Sequence, residues 1–240
     1  MIHIKTQFDP ILRKAISKKK QVAVIPVGSI EQHGPHLPVS TDSDIVTEVA
    51  KKISEKHGYL LLPTINYGVS FEHTPFFNLS VRESTLRAVL TDLCISLLSN
   101  NIKTVFIING HHGNLKPIKN LDVKLKKISK NKLKVFPLSY WHFMEREFDH
   151  AGFVETSLML AISKNVKMSL AKKGLTIKGM TKQEIVKIGK LANQSFPKAT
   201  KNGIWGDPRK ATKKDGKEIL AEIIKNLGKK CQTCLTGHSS

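Results

Sequence analysis

Residues 103–110 read KTVFIING, a strand-length run that is apolar on both faces. A strand with one wet face alternates polar and apolar residues. One that is apolar on both faces belongs in a parallel sheet covered by helices on each side. Its neighbours agree: QVAVIPV (21–27), YLLLPTI (59–65) and KLKVFPL (132–138) are further runs of strand length. Amphipathic stretches lie between them. In DIVTEVAKKISEKH (44–57), Ile45, Val49 and Ile53 recur every four residues. Thr41 or Ser43 is expected to cap this helix and Gly58 to stop it. VRESTLRAVLTDLCISLLSNN (81–101) and NLKPIKNLDVKLKKISK (114–130) read as two more helices. Strand and helix alternating three times predicts right-handed crossovers. The expected class is α/β, three-layer, with a mostly parallel sheet and helices on both faces.

After residue 140 the pattern changes. Helices are expected over 151–163 and 181–194, with a loop-like segment between them. GIWGDPRKAT (203–212) reads as a turn leading into a final helix, with Asp207 at the cap and Pro208 in its first turn. No linker or repeat interrupts the chain. Residues 1–230 are expected to form a single domain, with 231–240 as a flexible tail.

Composition removes several function classes. Of 240 residues, 40% are hydrophobic, which argues for a packed globular chain rather than disorder. No run approaches the length of a membrane span, and MIHIKTQFDP lacks a signal core, so the expectation is a cytoplasmic protein. Cys94 sits in the apolar run LCISLL. Cys231 and Cys234 are half of a zinc motif whose other half is absent from the sequence. The net charge of +20 is uneven: 14 Lys/Arg against 9 Asp/Glu in residues 1–120, and 25 against 10 in 121–240. Such a chain attracts anions, and a nucleic-acid-binding platform is one reading. Only five arginines are present and the lysines are not interleaved with aromatics, which favours a solvated lysine-rich surface instead.

The chemistry-bearing residues follow the strands. VGSIEQHGPHLPVSTD (27–42) places Glu31 and His33 two apart in a loop, with Asp42 nine residues later. His111 and His112 follow KTVFIING, and His150 precedes a helix carrying Glu155. In parallel sheets, ligands bind beyond the carboxyl ends of strands. Mixed imidazole and carboxylate donors there suit zinc, manganese or iron(II). Each residue alone has a plainer explanation. A loop histidine is usually solvated; Asp44 would cap a helix; His36, in PHLP, would brace the loop; His112 would fill a turn. His73 either contacts substrate or stacks on Phe71. The joint pattern is what points to metal.

The motif at 27–42 resembles the signature loop of the creatininase (creatinine amidohydrolase) family. FIINGHHGN (106–114) resembles its second motif, HAGFVETSLML (150–160) its third, and GIWGDPRKAT its C-terminal turn. The resemblance implies a hydrolase of amide or formamide C–N bonds that holds two divalent ions (Zn, Fe(II) or Mn), with a bridging water as nucleophile. Carried over by position, Glu31 and His111 would hold one ion and His33 the other, with Asp42 bridging and acting on the water. The family's further carboxylate falls at Gly113 here, and Glu155 is the expected replacement. His150 would act as acid/base, with His112 and His73 contacting substrate and Trp141 either enclosing it or lying in the core. HTPFFNLSV (73–81) departs from the family's His-x-x-Phe-Pro-Gly-Thr. Branches of the family open creatinine, deformylate a formamidopyrimidine ribosyl phosphate on the way to riboflavin and F420, or trim the mycofactocin precursor. Gly113 and the lysines tilt the expectation to the deformylase, with a phosphorylated substrate, a homo-oligomer of two to six chains and no membrane or nucleic-acid partner.

Overall fold

The computed structural model describes residues 2–18 and 21–237. The chain runs β1 (Ile2–His3), α1 (Asp9–Ser17), β2 (Val22–Val27), α2 (Thr41–His57), β3 (Leu60–Leu61), α3 (Glu83–Ser99) and β4 (Thr104–Asn109). It continues through α4 (Leu115–Ile118), α5 (Leu121–Ile128), β5 (Lys134–Ser139), α6 (Phe153–Ile162), α7 (Lys182–Gln194), α8 (Phe196–Thr200) and α9 (Lys213–Thr236). The strands form one sheet in the order β1-β3-β2-β4-β5, every neighbouring pair parallel. Each parallel step needs a crossover, which the helices supply.

The sheet divides two cores. Ala23, Ile25 and Val27 of β2 and Val105 and Ile107 of β4 face α3 and α5 through Leu86, Leu90, Leu121 and Leu125. Val24 and the β4 residues Phe106 and Ile108 face the opposite layer, where α2, α6 and α9 contribute Val46, Val49, Leu158, Ile219 and Ile223. Both faces of β4 are therefore dry, as its sequence requires, and the three-layer α/β expectation holds.

Four boundaries differ from the sequence reading. The helix expected from Asp44 begins at Thr41 with Ser40 at its N-cap, so neither Thr41 nor Ser43 caps it. The run at 59–65 contributes only Leu60–Leu61 to the ladder. Pro63 has no N–H to donate, although Leu62 and Ile65 still donate to Val24 and Pro26 of β2 at 3.0 and 2.9 Å. The helix expected at 114–130 is broken by Asn120, whose φ of 58° is left-handed. Asp207 caps a short 3-10 turn, Pro208–Lys210, rather than the final helix; Thr212 caps α9 by accepting from Asp215 N.

The expected flexible tail from 231 is corrected over 231–236. There α9 continues to Thr236, and Cys231 is buried against the α2 layer. Gln232 ties the helix to His57 Nδ1 at 3.0 Å and the Tyr59 hydroxyl at 2.9 Å. Residues 238–240 lie outside the described residues. Among the described residues, no helix is long and apolar enough to cross a membrane.

Candidate metal centre

The loops after β2, β4 and β5 converge at the carboxyl edge of the sheet. Three features set the first loop. Glu31 N donates to Val39 O and Gln32 N to Phe77 O, pinning the loop on both sides. Gly34 takes a φ of 61°, which glycine adopts without penalty. Asp42 then returns in the first turn of α2. After β4, the Asn109 side chain accepts from His111 N at 3.1 Å and fixes that turn. Asn114 spans two loops, accepting from Val69 N and donating to Gly28 O, both at 3.0 Å. Asp149 caps α6 by accepting from Val154 N at 2.8 Å, which presents Glu155 from the first turn.

Two triads result. Glu31, Asp42 and His111 bring one ligand atom each within 4.8 Å of one another, and so do His33, Asp42 and Glu155. Asp42 belongs to both. His111 Nδ1 lies 2.9 Å from Asp42 Oδ2; His33 Nε2 lies 3.2 Å from Asp42 Oδ1 and 3.5 Å from Glu155 Oε2. All five residues are buried.

The histidines are oriented as metal ligands are. His33 Nδ1 lies 3.0 Å from Glu31 O, and His111 Nε2 lies 2.9 Å from Val69 O. A carbonyl can only accept, so in each neutral ring the proton sits on the outer nitrogen and the inner one is bare. Ser29 Oγ donates to Glu31 Oε2 and Ala151 N to Glu155 Oε2. Glu31 Oε1, Asp42 Oδ2 and Glu155 Oε1 are buried without an aligned hydrogen bond, although His73 Nε2 stands 3.1 Å from the first and His111 Nδ1 2.9 Å from the second. An orphaned buried carboxylate oxygen is costly. Carboxylate oxygens so weakly satisfied, set among two triads of mixed N and O donors, fit a pair of divalent cations.

The protonation pattern says the same. Burial pushes the Glu31 carboxyl up, His111 opposing, to about 8. Burial also pushes up Asp42, but His33 and His111 outweigh it and hold that carboxyl well below its ordinary range. Burial alone would lower the two imidazoles; Asp42 with Glu155 for His33, and Glu31 with Asp42 for His111, raise each to about 10. Metal-free, the cluster balances its negative charge with protons that a cation would displace.

A cavity of about 410 Å³ opens on the centre, and its walls include Glu31, Asp42, His111, His73, His112 and His150. His150 Nδ1 lies 3.8 Å from Glu31 Oε1 and His73 Nε2 3.1 Å from the same oxygen. Burial lowers His73 to about 3 and His150 well below its ordinary value, so both rings are neutral. His73 stacks on Phe196, with centroids 4.6 Å apart, rather than on the exposed Phe71.

Trp141 is corrected: it does not line the cavity. It is buried in the core, stacked on Phe148 at 4.6 Å and edge-on to Tyr140. The indole at the cavity is Trp205, whose backbone pairs with His150 in both directions. The sequence reading also missed Glu72, Phe148 and Phe196 on the walls. The GIWGDP turn was the available signal for Trp205. Asp44 does not cap the helix but sits in its first turn and accepts from Ser40 Oγ, and His36 Nε2 pairs with Thr156 Oγ1.

Gly113 explains why its position carries no ligand. A Cβ there would overlap the Val69 carbonyl oxygen and come within 2.5 Å of His111 Nε2. Glu155 reaches the second triad from α6 instead.

Known proteins share this arrangement of chain. Residues 10–231 match the family model described as Creatininase: Creatinine amidohydrolase. The mycofactocin precursor peptide peptidase of Mycobacterium ulcerans (strain Agy99) is 30% identical over 213 residues, covering 84% of this chain and 80% of the relative. The 2-amino-5-formylamino-6-ribosylaminopyrimidin-4(3H)-one 5'-monophosphate deformylase of Methanosphaera stadtmanae is 30% identical over 160 residues, covering 65% of each. A crystal structure of creatinine amidohydrolase superposes with a TM-score of 0.80 at 22% identity over 95% of both chains. A mutant creatininase of Zn-Zn type and a Mn creatininase match at TM-scores of 0.79 and 0.77, with 22% and 20% identity, over 95% of this chain and 95% and 96% of theirs. With its parallel sheet and the family match spanning nearly its whole length, the chain belongs to the creatininase family of metal-dependent amidohydrolases.

Proposed function

We propose that the chain hydrolyses an amide or formamide C–N bond of a small substrate at a pair of divalent ions. The observation that carries this is the pair of buried triads sharing Asp42, whose carboxylate oxygens Glu31 Oε1, Asp42 Oδ2 and Glu155 Oε1 make no aligned hydrogen bond. Glu31, Asp42 and His111 would hold one ion, and His33, Asp42 and Glu155 the other. Such a pair supplies Lewis acidity, lowering the pKa of water and polarising a carbonyl. The chain's own residues do the rest. His150 Nδ1 faces Glu31 from the cavity wall and is placed to take a proton and return it to a leaving nitrogen. Phe148, Phe196 and Trp205 make the wall apolar and reduce competing water. His112, exposed at the cavity edge, is placed to orient the substrate.

The formamidopyrimidine phosphate deformylase reading is compatible with this site in one orientation. Among the described residues no Lys or Arg lines the cavity, so the formamide end would enter and the phosphate would remain at the rim. Lys178 and Lys190, each next in sequence to a lining residue (Ile177 and Gly189), are exposed. A second reading, trimming of a peptide, is favoured by Glu72 and Glu147 on the walls, which suit a neutral or basic group, and by the longer coverage of the peptidase relative. A hydrolysis panel of formamidopyrimidine phosphate, creatinine, simple formamides and short peptides tests the function, run with and without added Zn, Mn or Fe(II). Metal-dependent turnover of one of them supports it. No turnover of any, with metal bound, sinks it.

A further inference from the structure

Gln32 lies between two metal-ligand positions, and none of the chemistry above uses its side chain. A loop glutamine ordinarily turns to solvent. This one is half-buried, and all its polar atoms are engaged. Its Oε1 accepts from Gly34 N at 3.0 Å. A backbone N–H can only donate, so this contact fixes which end of the amide is oxygen. The turn at Gly203 closes on the same end: a Cβ there would overlap Gln32 Oε1.

The amide nitrogen therefore points the other way, where it meets two imidazoles. It lies 3.0 Å from His73 Nδ1 and 3.2 Å from His150 Nε2. An amide nitrogen donates and does not accept. His73 Nδ1 must then be bare and the ring's proton on Nε2, which faces Glu31 Oε1 at 3.1 Å. His150 differs, because its Nε2 is also 3.0 Å from the Gln32 backbone carbonyl. One residue thus offers that nitrogen both a donor and an acceptor. When Nε2 carries the proton, the carbonyl receives it and Nδ1 is bare toward the cavity. When Nδ1 carries the proton, the amide serves Nε2.

We propose that Gln32 is a positioning residue that sets the proton register of His73 and His150. It holds His73 in the Nε2–H tautomer aimed at Glu31. It also lets His150 carry its proton on either nitrogen with Nε2 partnered in both forms. The use of His150 in turnover rests on the amide hydrolysis proposed above; the tautomer assignment does not.

The test is Gln32→Glu, which keeps size and shape but turns the donor into an acceptor. Zinc-reconstituted protein labelled with 15N at histidine is compared by long-range 1H–15N NMR, with His73→Gln used for assignment. Wild type should show His73 as the Nε2–H tautomer, and Gln32→Glu should move that proton to Nδ1. If Gln32→Glu does not fold, Gln32→Met removes the donor at similar volume, and His73 should then populate both tautomers. An Nδ1–H His73 in wild type, or an unchanged tautomer in the variants, overturns the assignment. On whichever substrate the panel identifies, kcat should fall at least ~10-fold, the low side of what acid–base groups contribute, with KM within about twofold. A shifted tautomer with wild-type kcat would overturn the catalytic half. The spectra need no substrate, so an inactive panel leaves the tautomer result standing.

Discussion

Substitution of Gly113 by alanine tests why the second triad draws its carboxylate from α6. An added Cβ would overlap Val69 O, a backbone atom, and sit 2.5 Å from His111 Nε2 and 3.1 Å from Glu72 Oε1. None of the first two is a flexible chain end that can swing aside. Overpacking of this kind costs about 1–3 kcal/mol. Displacing His111 from Val69 O removes a 2.9 Å hydrogen bond, worth about 1 kcal/mol more. The sum is about 2–4 kcal/mol, or a melting midpoint lower by roughly 5–15 °C for a chain of this size. Because His111 belongs to the first triad, that ion should weaken too. Thermal melts read by circular dichroism, with metal content on the same samples, make the measurement. Gly189→Ala is the control: it lies within α7 with nothing near its Cβ position, and should stabilise by roughly 0.5–1 kcal/mol. A Gly113→Ala protein that melts within about 2 °C of wild type and keeps its metal would refute the steric reasoning.

Other outcomes follow from the same geometry. Glu155→Gln should weaken one ion by more than the roughly 10–100-fold that outer partners cost, seen as loss of one metal on dialysis; unchanged content would remove Glu155 from the ligand set. Zinc binding at pH 7 should release protons, because His33 and His111 stand near 10 in the metal-free chain; calorimetry in buffers of different ionisation enthalpy counts them. His36 is held down to about 4 by burial and then by His33, from an ordinary 6.5. The unfolded chain therefore binds more protons between those values. The metal-free protein should lose on the order of 1–3 kcal/mol as pH falls from about 6.5 to about 4, and His36→Gln should flatten that slope. Trp141→Ala should cost about 3–5 kcal/mol as a core cavity, while Trp205→Ala should act mainly on KM; the reverse pattern would restore Trp141 to the substrate site.

The sheet and the ligand loops were legible because their signals are local. KTVFIING can only be a strand dry on both faces, and Glu31, His33 and Asp42 sit in one loop and the helix turn it feeds. The cavity walls were less legible because they come from afar. His73, Phe196 and His150 meet across more than a hundred residues, and sequence spacing does not say that His73 stacks on Phe196 rather than on nearby Phe71. Trp141 and Trp205 illustrate the same limit. Trp141 lies nine residues before His150, yet packs inward on Phe148; Trp205 reaches His150 through a backbone bridge. The tail from 231 looked polar and short, but α9 continues with a period that keeps Cys231 on its buried face. Gln32 carried no signal at all, since its role depends on what lies opposite each end of its amide.

Metal stoichiometry tests the central claim most directly. Wild-type protein reconstituted with zinc and freed of excess should retain two ions per chain by elemental analysis, and Asp42→Asn, folded by circular dichroism, should bind fewer than two and lose hydrolysis. A wild-type protein that retains none after reconstitution, or an Asp42→Asn protein that keeps both ions and full activity, would contradict a shared dimetal centre.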